Sequence, residues 1–327
     1  MTQRELTEIT VIGDDDTGLV ARVTSLLFER GINIEDLDQA VRDDLFRMTM
    51  RVDTAGMETT RDALRADLGE LGDDLGVDVR VRFPDDRETK RIAVLVTKES
   101  HCLRRLCEAE ADLDAEISVV IGNHPDLESV AEEYDVPFHD IGDAQGNADE
   151  EHLLDLLGEY DADLVVLARY MRILGPNVVF RYEGRIINVH PSLLPAFPGA
   201  KAYRQAKEAG VRLAGVTAHY VTTDLDQGPI VAQRAFNVPD GASVETLKER
   251  GQPLEADVLL EAVRLHLGDD LSIHRGRTKL RDDAAEVATG ASDDSAYQLG
   301  MPPELDRATP DEPTDERLVA PPETSDD

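Results

Sequence analysis

The chain has 327 residues with 68 acidic and 34 basic side chains, a formal net charge of −34. The length suits two domains, and the charge excludes binding a nucleic acid through its phosphates, which needs a basic patch. No stretch reaches the ~18 apolar residues of a membrane span, and the N-terminal MTQRELTEIT has no signal-peptide character. A cytoplasmic protein without a membrane partner is expected. Six lysines stand against 28 arginines, and this acid-rich, lysine-poor balance suits a surface hydrated in concentrated salt, where self-repulsion is screened. Cys102 and Cys107 match neither a zinc pair nor a disulfide framework and read as small buried hydrophobes.

The first predicted domain spans residues 8–84. A strand around Ile9 and Val11 runs into GDDDTG, after which Leu19, Val20, Val23, Leu26 and Leu27 recur at helical spacing until Gly31. Strands at 33–41 and 46–52 follow, joined by a turn at 42–44. Leu64, Leu68, Leu71 and Leu75 form one stripe of a second helix, and Val77, Val79 and Val81 alternate as a last strand. The order βαββαβ is that of the ferredoxin-like split unit.

A charged linker at 83–90 leads to a second predicted domain, 90–280. Its strands IAVLV, ISVVIG, LVVLA and RIINV are continuous apolar runs, the pattern of strands covered by helices on both faces. This gives an α/β, Rossmann-like, mostly parallel sheet. Longer strands near 213–221 and 230–238 close it, broken by Gln227-Gly228-Pro229. Residues 281–327 hold six of the sixteen prolines, with 14 acidic against three basic residues. Such a segment buries too little to offset its chain entropy, so an acidic disordered tail is expected.

In a parallel α/β sheet, ligands bind beyond the carboxyl ends of the strands. There Asn188 and His190 are two apart on one strand and so point to the same side. An amide can stabilise an oxyanion, and an imidazole can exchange a proton near neutral pH. Asp226, in the loop Asp224-Leu225-Asp226-Gln227-Gly228, can orient that imidazole. Each also has a structural reading: Asn188 as a strand-end cap, His190 as a core histidine, Asp226 as a turn former.

NVHPSLLPAFPGA (188–200) and GVTAHYVTTDLDQGPIVAQ (215–233) resemble the catalytic core of folate-dependent formyl hydrolases and transferases. The resemblance implies that Asn188, His190 and Asp226 act on the formyl carbon of 10-formyltetrahydrofolate. It further implies that the backbone of ARYMRIL (168–174), with Arg169, Met171, Arg172 and Leu174, grips the pterin ring. Further folate contacts would come from the loop carrying Thr222 and Asp224. The βαββαβ unit resembles an ACT domain, a hallmark of the hydrolase branch. Amino-acid effectors bind such domains at turns matching Asp15, Gly18 and Asn33, with glycine or methionine the candidates, and ACT pairing implies a homo-oligomer. Gly18 and Asn33 equally read as a helix opener and a strand start.

The expected reaction is hydrolysis of 10-formyltetrahydrofolate to formate and tetrahydrofolate, a step of one-carbon metabolism. The alternative is formyl transfer to the amine of a ribonucleotide. The transferases resembled carry a glycine-rich phosphate cradle where this chain has Thr97-Lys98-Glu99-Ser100-His101, and Glu99 puts a negative charge there. Pro191, by contrast, follows the transferase pattern. The eight histidines show no metal-ligand spacing, so no metal and no permanently bound cofactor is expected.

Overall fold

The computed structural model describes residues 6–280, apart from Asp43, residues 84–88, Asp269 and Arg275. The expected acidic tail, residues 84–88 of the linker and the centre of the 42–44 turn lie outside the described residues.

The N-terminal half is built from β1 (Thr7–Asp14), α1 (Leu19–Glu29), β2 (Asn33–Arg42), β3 (Leu45–Asp53), α2 (Arg61–Leu75) and β4 (Val77–Arg82). Its antiparallel sheet has the order β2-β3-β1-β4. Alternation dictates the layers: Ile9 and Val11 of β1 point into the core with Leu19, Val23, Leu27, Leu64 and Leu68 of the two helices. Thr60 caps α2, its hydroxyl accepting from the Ala63 N–H at 3.2 Å. Phe83, expected in the linker, instead closes this core and lies beneath the guanidinium groups of Arg61 and Arg65.

The second half runs β5 (Lys90–Val96), α3 (His101–Glu108), β6 (Ala115–Gly122), α4 (Glu128–Glu133), β7 (Phe138–Asp140), α5 (Glu150–Glu159), β8 (Leu164–Leu167), α6 (Pro176–Arg181), β9 (Ile186–His190), α7 (Ala202–Glu208), β10 (Leu213–Tyr220), β11 (Ile230–Asn237) and α8 (Val244–Leu267). The sheet order is β11-β10-β9-β8-β5-β6-β7, with β5 to β9 parallel and β10 antiparallel to both neighbours. Consecutive residues of β5 feed opposite faces. Val94 joins the core under α3 and α8, and Leu95 the core under α5 and α6. Truncating Leu95 to alanine costs about 2–5 kcal/mol.

The sequence reading missed three features. β7 has three residues, too few for a periodic signal. The hairpin β12 (Leu271–His274) and β13 (Arg277–Leu280) follows α8, and the 24-residue α8, with Pro253 inside it, was not anticipated. Among the described residues no helix is long and apolar enough to cross a membrane.

Strand order reverses at β5, whose neighbours are β6 on one side and β8 on the other. The crevice beyond the carboxyl ends of β5 and β8 is therefore where a ligand is expected.

Candidate active site

β9 and β10 pair antiparallel with Asn188 opposite His219 and His190 opposite Thr217. The loop after β9 is tied down by polar contacts to β10 and β11. The Thr217 hydroxyl donates to the Ser192 carbonyl at 2.7 Å and accepts from the Leu194 N–H at 3.0 Å, while Gln233 donates to the Leu194 carbonyl at 3.0 Å. Phe197 is held in the left-handed region at φ 56° with its carbonyl 2.9 Å from His190 Nε2. A carbonyl only accepts, so Nε2 carries the proton in this contact.

His190 Nδ1 lies 3.3 Å from Asp226 Oδ2, and the same oxygen accepts from the Gly199 N–H at 2.7 Å. Asp226 also adopts a left-handed backbone, φ 56°, which Asp tolerates better than most side chains. Gly228 then lets the chain pass close to the Tyr220 carbonyl, where a Cβ would collide. The structure thus brings the three expected catalytic residues together. At 3.3 Å the His190–Asp226 pair leaves no gap for a water between them, so a water must approach at the pair's edge.

His219, in the motif but not among the expected site residues, completes the cluster. Its Nδ1 donates to the Tyr220 carbonyl at 2.9 Å, which leaves Nε2 as the acceptor for Asn188 Nδ2 at 3.2 Å. Nε2 also lies 3.7 Å from Asp226 Oδ1. Burial lowers the His219 pKa, with His190 adding to it, against the raising effects of the Tyr220 hydrogen bond and Asp226. The neutral ring fixes which atom of the Asn188 amide is the nitrogen, and leaves that nitrogen's second proton to donate elsewhere. Its signal in the sequence was an apolar strand interrupted by a single polar ring in GVTAHYV.

Loops from four strands meet beside this cluster. The Thr97 hydroxyl donates to Asn123 at 2.7 Å and accepts from the Met171 N–H at 2.8 Å. Asn123 and Arg172 both donate to the Gly146 carbonyl, at 2.7 and 2.6 Å. Among the residues expected to hold folate, Arg172 is thus a loop tether and Leu174 is buried in the core. Met171 is 55% exposed and Ile173 75%, leaving an apolar lip. Thr222 turns its hydroxyl to the Asp224 carbonyl at 3.2 Å, and Asp224 is exposed.

Arg169, at φ 63°, directs its guanidinium into the protein. Its Nε lies 2.8 Å from Glu99 Oε2 and 3.2 Å from Glu255 Oε2, so its backbone is what it can offer a ligand. Lys248 also reaches Glu99, at 2.8 Å. Burial alone would raise the Glu99 carboxyl, but Arg169 and the hydrogen bonds from Lys248 and Arg169 outweigh it and bring it to about 2. Glu255 comes from the middle of α8 and is fully buried, accepting from the Tyr203 hydroxyl at 2.5 Å and lying 3.2 Å from His101 Nε2. Burial works against its ionised form, and His101, Arg169 and Tyr203 together still lower its pKa. The sequence reading named Glu99 and missed Glu255, a lone carboxylate on the inner face of an amphipathic helix.

His101, Cys102 and Glu255 place ligand atoms within 4.8 Å of one another. The Glu255 oxygens are already engaged, and burial pushes the Cys102 thiol up, so this set fits a metal ion poorly.

The positions expected to take an effector are separated within one chain. Asp15 follows the end of β1 beside Asp44, to whose carbonyl its N–H donates at 2.8 Å. Gly18, at φ 97°, precedes α1. Asn33 lies at the opposite end of the sheet, paired with Asp53, and its amide donates to Glu35 at 2.8 Å.

A family model described as formyl transferase matches residues 90–263, and one described as ACT domain matches residues 7–82. The formyltetrahydrofolate deformylase of Bacillus subtilis (strain 168) is 39% identical over 274 residues, covering 81% of this chain and 90% of that protein. The chain belongs to the formyltetrahydrofolate deformylase family. A crystal structure of a formyltetrahydrofolate deformylase from Pseudomonas syringae pv. tomato str. DC3000 is similar with TM-score 0.58 and 32% identity, covering 86% of this chain and 96% of that one. Glycinamide ribonucleotide transformylase 1 from Symbiobacterium toebii is 36% identical with TM-score 0.57 but covers 60% of this chain. Likeness to the deformylases thus extends across both halves.

Proposed function

We infer that this chain hydrolyses 10-formyltetrahydrofolate to formate and tetrahydrofolate. The observation that carries the choice of water over a phosphate-bearing amine is the engagement of Arg169 by Glu99 and Glu255. The Arg169 guanidinium is neutralised from within, and the loop after β5 carries Glu99, itself paired with Arg169 and Lys248, where a phosphate would need free N–H donors.

The chemistry assigned to the site is as follows. A water at the edge of the His190–Asp226 pair attacks the formyl carbon and gives a proton to the Asp226 carboxylate. The second Asn188 amide proton stabilises the oxyanion of the tetrahedral intermediate, with His190 beside it. The C–N10 bond then breaks, N10 takes a proton from the His190–Asp226 pair, and formic acid leaves, losing its remaining proton to solvent as formate. Pterin binding is assigned to the backbone at 168–174 with the apolar lip of Met171 and Ile173, and to the loop carrying Thr222 and Asp224. No resident cofactor takes part, and the two cysteines, buried as thiols, fit the reducing cytoplasm.

The ACT half is assigned an amino-acid effector, glycine or methionine, at Asp15, Gly18 and Asn33. Since one chain keeps Asn33 apart from the other two, such a site would be assembled by side-by-side pairing in a homo-oligomer.

The test is tetrahydrofolate release by the purified chain in high salt, with 10-formyltetrahydrofolate alone and then with glycinamide ribonucleotide added. Steady formate production without the ribonucleotide is expected. Turnover that requires it would overturn the hydrolase reading.

A further inference from the structure

A second concentration of charge lies where the ACT sheet meets the catalytic domain. Thr10 of β1 and Arg80 of β4 stand beside Arg181 and Tyr182 at the end of α6 and Arg185 at the entry to β9, around a cavity of about 50 Å³. A buried water needs roughly 10–15 Å³, so this space accepts a group of a few heavy atoms. Three arginines line it against one carboxylate, Asp78, which Arg80 engages at 3.4 Å.

Among the described residues, neither Arg181 nor Arg185 has a carboxylate within 4.0 Å. Arg181 donates to the Asn177 amide oxygen at 2.9 Å. Arg185 donates to the Arg181 carbonyl at 3.1 Å and lies 5.1 Å from the centre of the Tyr182 ring. Burial, and after it the charges of Arg82 and Arg80, lower the Arg185 pKa, with Glu8 as an opposing influence. In a chain with twice as many acids as bases, a partly buried arginine set among arginines, with Glu8 and Tyr182 as its opposing influences and no carboxylate among the described residues in salt-bridge reach, is a charge compensated only in part, which is costly unless something pairs with it. Guanidinium groups suit the planar or tetrahedral oxygens of an oxyanion.

We propose that this cavity binds a small oxyanion, of the size of formate or phosphate, held by Arg80, Arg181 and Arg185. Occupancy would join the ACT sheet to β9, whose fifth residue after Arg185 is His190. At about 3.3 Å per residue the two are roughly 16 Å apart, so the site is distinct from the catalytic one. If formate is the occupant, the site senses the product, an identification that rests on the hydrolase reading. Phosphate would act independently of it.

The test is thermal unfolding of the full chain in sodium chloride, with chloride replaced by sodium formate or sodium phosphate at constant ionic strength. Above half-saturation, the preferred oxyanion should raise the midpoint by roughly 2–4 °C per tenfold increase in concentration. Arg185→Met should abolish the rise. The same rise in Arg185→Met, or none over chloride with either oxyanion, would overturn the proposal. Should Arg185→Met fail to fold, Arg80→Gln carries the test, and an unaltered response in that variant is equally fatal. Because unfolding is read without turnover, failure here leaves the hydrolase reading untouched. Coupling to β9 is read from kcat, which should change with the oxyanion in the natural chain and not in Arg185→Met; identical behaviour removes the coupling.

Discussion

Asn188 and His219 face each other across the β9–β10 pair, the amide of one donating to the ring of the other at 3.2 Å. The ring's other nitrogen is committed to the Tyr220 carbonyl, so His219 acts as a fixed acceptor that sets the orientation of the Asn188 amide. His219→Phe keeps the volume and loses the acceptor. Its kcat should fall by up to ~10²-fold with KM for the folate little changed, against ~10²–10³-fold for Asn188→Ala. Steady-state kinetics of both variants check this, and a His219→Phe enzyme with natural kcat would leave the residue a packing role only.

The same ring gives a pH signature. Because the folded-state pKa of His219 lies below its ordinary value, the unfolded chain takes up a proton that the folded chain refuses as pH drops through the ordinary histidine range. Stability is therefore greatest above that range and declines below it. Melting curves between pH 8 and 5 should show a steeper loss for the natural chain than for His219→Phe.

Asp226→Asn retains an oxygen for the Gly199 N–H and a side chain that tolerates the left-handed backbone. The variant should fold with an unchanged circular dichroism spectrum while kcat falls ~10²–10⁴-fold. Retained activity in a folded Asp226→Asn protein would remove the carboxylate from the reaction.

Glu99 has a folded-state pKa of about 2 against an ordinary 4.5. Its contribution is complete above the ordinary value and is lost as pH falls toward the folded one, on the order of 3 kcal/mol at most. Glu99→Gln should flatten the acid limb of the stability curve between pH 5 and 3, read as melting temperature against pH.

Glu255→Gln leaves Arg169 with one carboxylate instead of two and disturbs the hydrogen bonds from Tyr203 and His101. Removing one partner of a buried pair costs roughly 3–5 kcal/mol. A melting temperature within a degree of the natural chain would show that the cluster contributes no stability.

The alternation of Ile9 and Val11 and the unbroken apolar run of β5 made both sheets legible in the sequence, because burial on one face or two leaves its own period. Asn188 and His190 were legible because two residues apart on one strand share a side. What escaped depended on pairing between distant segments. His219 acquires its role only through its register against β9, and Glu255 only because α8 lays it beside Arg169. β7 is too short to repeat anything. Arg172 was legible as a residue of the pterin segment, but its task of tethering residue 146 comes from a loop 26 positions earlier in the chain.

Arg47 reaches from the ACT sheet to Glu183 at 2.6 Å and lies over the Phe180 ring at 5.3 Å, itself only 7% exposed. The two halves are therefore not interchangeable parts. A hybrid that places another ACT domain before residue 89 inherits Phe180 and Glu183 as an unmatched socket. This contact re-forms only where the incoming sheet supplies an arginine at the same register, so recombination among relatives should preserve these three residues as a set.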